Sequence, residues 1–380
     1  MSNSSLCKHF FWLCLVGLMT ACVDAQRGSV EPEIYAPTLT LSPALVEQSV
    51  ENDDEGCADA ELFCIGFMTD VEALEDNGFY EAVWNGVQRS KYDLAARVTY
   101  ASTVTIEEHE QQFESFVAEE YDVVVTAGYG LLLPTIDASE KYPNTVFVGV
   151  DQDQFVVSEN LVGVAFPQEK AGFLAGVMAG LLTKSNTVGA ILGTVQSPTY
   201  RGYRKGFEAG VLAVDPEIKV IVLYHPGGIL EGVNDPQWGA GAADFMLKNK
   251  ADVIFAAGGE TAAGALTQTA STSTALCIGA DIDQYEALPE ARKCLVTSAV
   301  SNLESDVFSV VAQLAYGSSG IGEIEGRVSL APLHDFDSRF SADVKLFFRN
   351  LEAMLGRPDV EIDRSFRLGT LPAIEPFEAK

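Results

Sequence analysis

The chain has 380 residues, which is long enough for two domains of ordinary size, each with its own hydrophobic core. Its formal net charge is -30. Because nucleic-acid binding needs clustered lysine and arginine to neutralise phosphates, this charge argues against a nucleic-acid partner. It favours neutral or cationic ligands only weakly, since a local site can oppose the field of the whole protein.

Residues 1–22 carry the pattern of an export signal. Lys8 precedes an apolar run at residues 10–18, and small residues lead directly to Cys22. This ending is similar to the lipobox of bacterial lipoproteins, although Met19 stands where that pattern usually has Leu. We predict a lipoprotein signal peptide, lipidation of Cys22 and an anchored protein at the cell membrane, facing the periplasm or the extracellular side. A plain signal peptide cleaved nearby is the alternative.

Residues 23–61 form a polar, acidic stretch that contains Pro, Thr and Ser and includes the run E-N-D-D-E at residues 51–55. The stretch lacks sustained hydrophobic periodicity, as is typical of segments that cannot build a core. We therefore predict a flexible tether between the lipid anchor and the folded part of the chain.

Four cysteines remain once the signal and Cys22 are set aside, and they fall into two pairs that are close in sequence. An even number of cysteines in an exported chain favours disulfides. We predict two local bonds, Cys57 with Cys64 and Cys277 with Cys294. Buried free thiols are the alternative.

Strand and helix patterns alternate from residue 62 onwards. The stretch L-F-C-I-G-F-M-T-D predicts a strand over residues 62–68 that ends near Asp70, and apolar residues at helical spacing from Phe79 predict a helix after it. Further strands are predicted at 92–100, 161–166, 188–193 and 220–224, and further helices at 107–119, 171–182, 202–214, 239–250 and 341–355. Residues 294–300 are expected to cross back between the lobes.

Two stretches of the chain, residues 123–153 and 252–284, repeat one pattern of strand, glycine turn, helix and strand. Gly128 precedes Asp151 by 23 residues, and Gly258 precedes Asp281 by 23 residues. Ligands of open parallel sheets bind just outside the carboxyl ends of the strands, where these aspartates fall.

We therefore predict that Asp151 and Asp281 contact one ligand held between two lobes. A helix-capping role is the alternative for each. A second aspartate follows each of them after two residues, and we interpret Asp153 and Asp283 as caps or hinge contacts.

The alternation of strands and helices predicts an α/β fold of two doubly wound, Rossmann-like lobes joined by hinge crossovers. Residues 62–160 are assigned to lobe 1, with about 296–325 returning to it. Residues 161–295 are assigned to lobe 2, with about 326–380 packing across the lobes.

Six stretches of this chain follow one another in the order D-N-G-F-Y-E-A-V-W-N-G, T-A-G-Y-G, K-Y-P-N-T-V-F-V-G-V-D, G-F-L-A-G-V-M-A-G-L-L-T-K, Y-R-K-G-F-E-A-G-V and A-D-V-I-F-A-A-G-G-E. Taken together, they resemble the basic membrane protein (Bmp/PnrA-like) family. These proteins are lipoprotein substrate-binding components of ABC transporters that take up purine nucleosides. The resemblance covers nearly all of residues 62–347, and it implies a type I periplasmic-binding-protein fold that closes on a nucleoside and delivers it to a membrane permease.

The resemblance also implies roles for single residues. Phe79 matches the phenylalanine that stacks on the base, Asp151 the aspartate that reads the base, and Asp281 the aspartate that binds the ribose. Val233 stands where the family has a second stacking aromatic residue, and Ser301 where it has a ribose-side lysine. The ligand is therefore open within the class of nucleosides and similar small polar aromatic metabolites.

Further candidate ligand contacts lie at predicted strand ends and helix starts: Asp70, Tyr80, Tyr129, Trp238, Gly258 and Gly259. Tyr129 is a candidate stacking platform, as is Phe79, with a core position as the alternative. Trp238 is a candidate for the aromatic face that Val233 lacks. The two glycines would let backbone N–H groups approach a ligand, or would serve only a tight turn.

An enzyme is the remaining class to weigh. The D-Q-D and D-I-D pairs could ligate Ca²⁺ or Mg²⁺, and nucleoside hydrolysis would use such carboxylates. The sequence has no third acidic cluster to accompany them and no G-x-S-x-G, Walker or C-x-x-C motif. We predict neither catalysis nor a cofactor or metal. The alternative to a transport receptor is a sensor or adhesin-like surface lipoprotein of the same fold.

Overall fold

The computed structural model describes residues 57–58, 61–70, 78–103, 105–152, 158–272, 274–317, 322–374, 377 and 379. The predicted signal peptide, Cys22, nearly all of the predicted tether and Asp153 lie outside the described residues. Within the part that is described, no helix is long and apolar enough to cross a membrane.

Strands and helices alternate along the described chain. The strands are β1 Cys64–Thr69, β2 Arg97–Ser102, β3 Val123–Ala127, β4 Val146–Val150, β5 Leu161–Ala165, β6 Thr187–Thr194, β7 Lys219–His225, β8 Val253–Ala257, β9 Leu276–Asp281, β10 Leu295–Ser301, β11 Gly322–Glu325 and β12 Val328–Leu330. The helices are α1 Phe79–Asp93, α2 Ile106–Ala118, α3 Leu132–Lys141, α4 Gln168–Leu182, α5 Pro198–Val214, α6 Ile229–Val233, α7 Pro236–Lys248, α8 Gly259–Thr272, α9 Gln284–Ala287, α10 Leu303–Ala315 and α11 Ala342–Leu355.

The strands form two six-stranded sheets, one in each lobe. The order in lobe 1 is β11-β5-β4-β3-β1-β2, and the order in lobe 2 is β12-β10-β9-β8-β6-β7. Apart from the two edge strands β11 and β12, the sheets have the same order of successive strands. The edges differ in direction, because β11 runs parallel to β5 while β12 runs antiparallel to β10. The inner strands are apolar and fully buried, as expected for parallel strands covered by helices on both faces.

The chain passes between the lobes three times: from β5 to α4, from β10 to α10, and from β11 to β12. Hydrogen bonds and an ion pair connect these crossings to one another. The Gly326 N–H donates to the Ala165 carbonyl at 2.8 Å, and the Asn302 N–H donates to the Arg327 carbonyl at 2.9 Å. Lys170, in the first turn of α4, reaches Glu325 at the end of β11 with an Nζ to Oε1 distance of 2.6 Å.

Strand pairing corrects the predicted lobe boundaries. Residues 161–165 were assigned to lobe 2, but β5 pairs with β4 and belongs to the sheet of lobe 1. Residues 294–300 were expected to cross between lobes, but β10 pairs with β9 inside lobe 2, and the return begins only at α10, which packs on α1. The tail from β12 onwards contributes to the core of lobe 2, while Arg327, directly before β12, bonds to Asp306 of α10 in lobe 1.

Glycines bring α4 and α5 into contact backbone to backbone. Gly172 and Gly176 of α4 face the carbonyls of Tyr203 and Phe207, and Gly206 of α5 faces the Glu169 carbonyl, where an added Cβ would overlap it. The small-residue composition of residues 171–182 therefore serves a close helix pair within lobe 2.

The structure contains both predicted disulfides, Cys57–Cys64 and Cys277–Cys294, with Cα atoms 5.8 and 5.0 Å apart. The first ties the start of β1 to the chain before it. The second ties β9 to the residue that precedes β10. The prediction of two local bonds is confirmed.

Candidate functional site

Asp151 and Asp281 occupy equivalent positions in the two lobes. Asp151 directly follows β4 and Asp281 ends β9, and these strands are equivalent in the shared strand order. Both residues have the left-handed backbone conformation, with φ of 54° and 67°, which is uncommon outside glycine. The turns after β3 and β8 also match, since Gly128 and Gly258 have φ of 110° and 137°. The equal spacing of 23 residues thus reflects one backbone geometry used twice.

Asp281 is held by a tyrosine from the neighbouring helix. The fully buried Tyr203 of α5 donates a hydrogen bond of 2.6 Å from its hydroxyl to Oδ1 of Asp281. Burial raises the pKa of the Asp281 carboxyl, and the hydrogen bond from Tyr203 lowers it by less. Among the described residues no other side chain donates to this carboxylate.

Asp151 is held by the first residue of α4. Gln168 donates from Nε2 to Oδ1 of Asp151 at 2.7 Å, which links the sheet edge of lobe 1 to a helix of lobe 2. Gln168 also lies beside Gly202 of α5, where an added Cβ would come within 3.2 Å of the Gln168 Cβ. The partners of the two aspartates are therefore neighbours on the paired helices α4 and α5.

Two tyrosines on α5 have hydroxyls whose pKa values are raised. Burial, and then the charges of Asp281 and Asp151, raise the pKa of the Tyr200 hydroxyl. The same groups raise the pKa of Tyr203, whose hydrogen bond to Asp281 adds to the effect. Contacts place the two aspartates near the start of α5, because Gln168, which donates to Asp151, lies against Gly202, and the next residue, Tyr203, donates to Asp281.

Asp70 and Tyr80 lie in a network internal to lobe 1. Tyr80 donates to Oδ1 of Asp70 at 2.8 Å, and the Gly130 N–H donates to Oδ2 at 2.8 Å. The carboxylate also lies so close to Gly128 that an added Cβ there would overlap it. Asp70 therefore helps to fix the conformation of the turn after β3.

The predicted aromatic contacts are dispersed. Phe79 begins α1 and makes an edge contact with Tyr80, with ring centroids 5.3 Å apart. Trp238 lies in the first turn of α7, where its ring packs edge-on against His225 at 4.9 Å and its backbone N–H donates to the helix cap Asp235. No contact in the described part joins Trp238 to either aspartate. Tyr129 begins a 3-10 turn, and its side chain is outside the described part.

Gly258 and Gly259 form the turn between β8 and α8 and pack against other elements of lobe 2. Gly258 lies against the backbone of Gly193 in β6, and Gly259 lies against the carbonyl of Val233 at the end of α6. Both have positive φ, of 137° and 51°. Asp283 caps α9 by accepting from the Tyr285 N–H, in line with the capping interpretation.

Gln168, Tyr200 and Tyr203 were not predicted from the sequence. The two tyrosines are three residues apart in the first part of a helix that follows a strand, so they share one helix face at the carboxyl edge of the sheet. That spacing was the available signal. Gln168 had a similar one, because it directly follows the predicted strand 161–166 and a proline.

Two cavities of the described structure lie elsewhere. One of about 470 Å³ lies at the amino-terminal edge of the lobe 2 sheet, near Lys184, Lys250 and Asp252. The other, of about 330 Å³, lies beside α6. In the described part of the chain, no three His, Cys, Asp or Glu side chains are grouped to hold a metal ion.

The model of a protein family described as "Bmp: ABC transporter substrate-binding protein PnrA-like" matches residues 65–324. The chain belongs to this Bmp family. A CD4+ T-cell-stimulating antigen of Listeria innocua is 28% identical over 248 residues, which are 62% of this chain and 66% of that protein. The ABC transporter nucleoside-binding protein BmpA of Lactococcus lactis is 26% identical over 231 residues, 57% of this chain and 63% of that protein. The match spans less than two thirds of either relative.

A solved structure of an ABC transporter solute-binding protein from Conexibacter woesei superposes on this Bmp-family chain with a TM-score of 0.66 at 20% identity. The match covers 80% of this chain and 100% of that one. The family resemblance and the type I periplasmic-binding-protein fold predicted from the sequence are both confirmed.

Proposed function

We propose that this Bmp-family protein is the substrate-binding lipoprotein of an ABC importer and binds a nucleoside, or a similar small polar aromatic metabolite, between its two lobes. The observation that carries the proposal is that Tyr203 of α5 donates to Asp281 and Gln168 of the adjoining α4 donates to Asp151, so that one helix pair holds an aspartate from each lobe. A ligand that bridges the two carboxylates holds the lobes together, which is how a two-lobed receptor couples binding to closure.

The chemistry of the two carboxylates suits a nucleoside. An ionised carboxylate accepts charge-assisted hydrogen bonds, which are stronger than neutral ones. The second oxygen of Asp281 accepts from a ribose hydroxyl, and Asp151 accepts from an N–H group of the base, releasing the Gln168 amide. These are the roles that the family resemblance implies for the two positions.

The anchor and the transport role rest on other observations. Lipidation of Cys22 would tether the protein at the membrane surface, and the acidic residues 23–61 would give the lobes reach towards a permease. Membership of a family of ABC transporter substrate-binding proteins supports a permease as the partner that receives the ligand.

Titration calorimetry of the full-length protein in detergent against purine and pyrimidine nucleosides tests the binding claim. We expect saturable heat with one ligand per chain and unchanged nucleoside on chromatography afterwards. No heat with any nucleoside would contradict the claim, and hydrolysed nucleoside would indicate an enzyme. Deleting the gene should abolish uptake of the bound nucleoside by cells, and undiminished uptake would contradict the transport role.

A further inference from the structure

We propose that Tyr200 supplies the aromatic face on lobe 2 against which the ring of the ligand stacks. The inference rests on the proposed function and deepens it, because it names the residue that selects ligands with a flat ring. Neither the family pattern nor the predicted stacking residues Phe79, Tyr129 and Trp238 point to this position.

The backbone beneath Tyr200 is shaped to receive its ring. Gly193 lies in an irregularity of the β6–β7 pairing, between Leu192 and Thr194. The Tyr200 ring lies directly against Gly193, where an added Cβ would overlap three ring carbons. The ring is therefore supported by bare main chain at the carboxyl edge of the sheet.

Tyr200 places an aromatic ring near Val233, which stands where the family has its second stacking residue. Val233 lies against Gly259, and the adjoining Gly258 lies against Gly193, which carries the Tyr200 ring. One glycine turn thus separates Val233 from the tyrosine. An aromatic ring is present in this part of lobe 2, but it comes from α5 and not from the end of α6.

Tyr200 also lies on the part of α5 that is in contact with the partners of both aspartates. Tyr203, three residues further on and on the same helix face, is fully buried and donates to Asp281. Gly202, between the two tyrosines, lies against Gln168, which donates to Asp151. Tyr200 itself is half-buried. Of the two tyrosines, only Tyr200 therefore has exposed surface that a ligand can contact.

The test compares Tyr200→Leu and Tyr200→Phe with the wild type by calorimetry against adenosine, guanosine, adenine and ribose. Leucine keeps an apolar side chain in the site but removes the ring, so we expect about tenfold weaker binding of the nucleosides and of adenine. Phenylalanine keeps the ring, and its affinity should stay within about twofold of the wild type. Thermal unfolding of each variant shows whether the fold is intact.

Two further variants sharpen the test. Tyr92→Leu changes a tyrosine that is 77% exposed on α1 and should leave affinity unchanged. Adding Val233→Phe to Tyr200→Leu should recover part of the lost affinity, because it returns a ring to the other side of the glycine turn.

Several outcomes would count against the proposal. Nucleoside binding by a folded Tyr200→Leu variant at wild-type affinity would overturn this inference and leave the proposed function standing. Equal losses in Tyr200→Phe and Tyr200→Leu would assign the effect to the hydroxyl and overturn stacking. Wild-type protein that binds ribose but neither nucleosides nor adenine would contradict both proposals.

Discussion

The hydroxyl of Tyr203 donates a hydrogen bond of 2.6 Å to Asp281 from a residue 78 positions away in the chain. The tyrosine is fully buried, so this bond fixes the direction in which the carboxylate presents its second oxygen. The equivalent aspartate of lobe 1, Asp151, is held in a similar way by Gln168. Each of the two aspartates thus accepts a hydrogen bond from a helix of lobe 2.

Tyr203→Phe removes the hydroxyl and leaves the ring in place. A hydrogen bond to a charged group contributes about 1.5 to 3 kcal/mol. We therefore expect the losses in unfolding free energy and in nucleoside-binding free energy to add up to about that amount. Urea unfolding and calorimetry measure the two parts. Tyr92→Phe, at an exposed position, is the matched control. A variant that equals the wild type in both measurements would show that Tyr203 does not position Asp281.

Asp281→Asn should weaken nucleoside binding and stabilise the ligand-free protein at neutral pH. Asparagine tolerates the left-handed backbone and still accepts from Tyr203, but it binds a hydroxyl without the help of charge. We expect a loss of about 1.5 to 3 kcal/mol in binding free energy by calorimetry. Unchanged affinity would return Asp281 to a structural role.

The stability of Asp281→Asn should depend on pH with a definite sign. Burial raises the folded-state pKa of Asp281 above its ordinary value of 3.8, so the ionised form is disfavoured by folding. The favourable contribution of the protonated carboxyl is complete below that ordinary value and is lost as the pH rises through the raised pKa. Urea unfolding should therefore show an advantage of the variant at pH 7 that shrinks towards pH 3. A constant difference would argue against a raised pKa.

Glu325→Gln should destabilise the protein by about 1 to 3 kcal/mol, because it removes the charged partner of a buried lysine. The Lys170 side chain is 5% exposed and Glu325 is 52% exposed, so solvent screens one side of the pair and keeps the loss moderate. Glu323→Gln removes the same charge from an exposed position two residues earlier in β11. Equal unfolding free energies for the two variants would show that the pair contributes nothing across the lobes.

Gly206→Ala and Gly241→Ala should shift stability in opposite directions. A Cβ at Gly206 overlaps the Glu169 carbonyl across the α4–α5 contact, so we expect a loss of at least about 2 kcal/mol. A Cβ at Gly241 meets no atom of the described structure within 4 Å, and alanine in a helix interior gains up to about 1 kcal/mol over glycine. Urea unfolding measures both. A neutral Gly206→Ala would mean that the helices separate at little cost.

The sequence predicted the repeated unit and the family because both rest on local patterns. Gly128 and Gly258 mark turns that need positive φ, and their equal distances from Asp151 and Asp281 can be counted along the chain. The lobe assignment of residues 161–165 could not be predicted in this way. A buried strand has the same apolar pattern in whichever sheet it pairs, and only the pairing of β5 with β4 decides it.

Contacts between residues that are distant in the sequence could not be predicted either. Asp70 follows a strand as Asp151 does, yet its oxygens accept from Tyr80 and from Gly130, which is 60 residues away. Tyr203 could not be matched with Asp281 without the packing of α5 on the sheet. Local errors were smaller: the strand predicted from residue 92 begins at Arg97, because α1 continues to Asp93.

The glycine contact between α4 and α5 has an evolutionary consequence. Gln168 starts one of these helices and Tyr203 lies on the other, and main chain touches main chain between them. A bulkier residue that replaced one of these glycines during evolution would displace both Gln168 and Tyr203, which hold Asp151 and Asp281. Ligand preference can therefore diverge among descendants through side chains at the mouth of the cleft. The glycine contact between α4 and α5 tolerates little change.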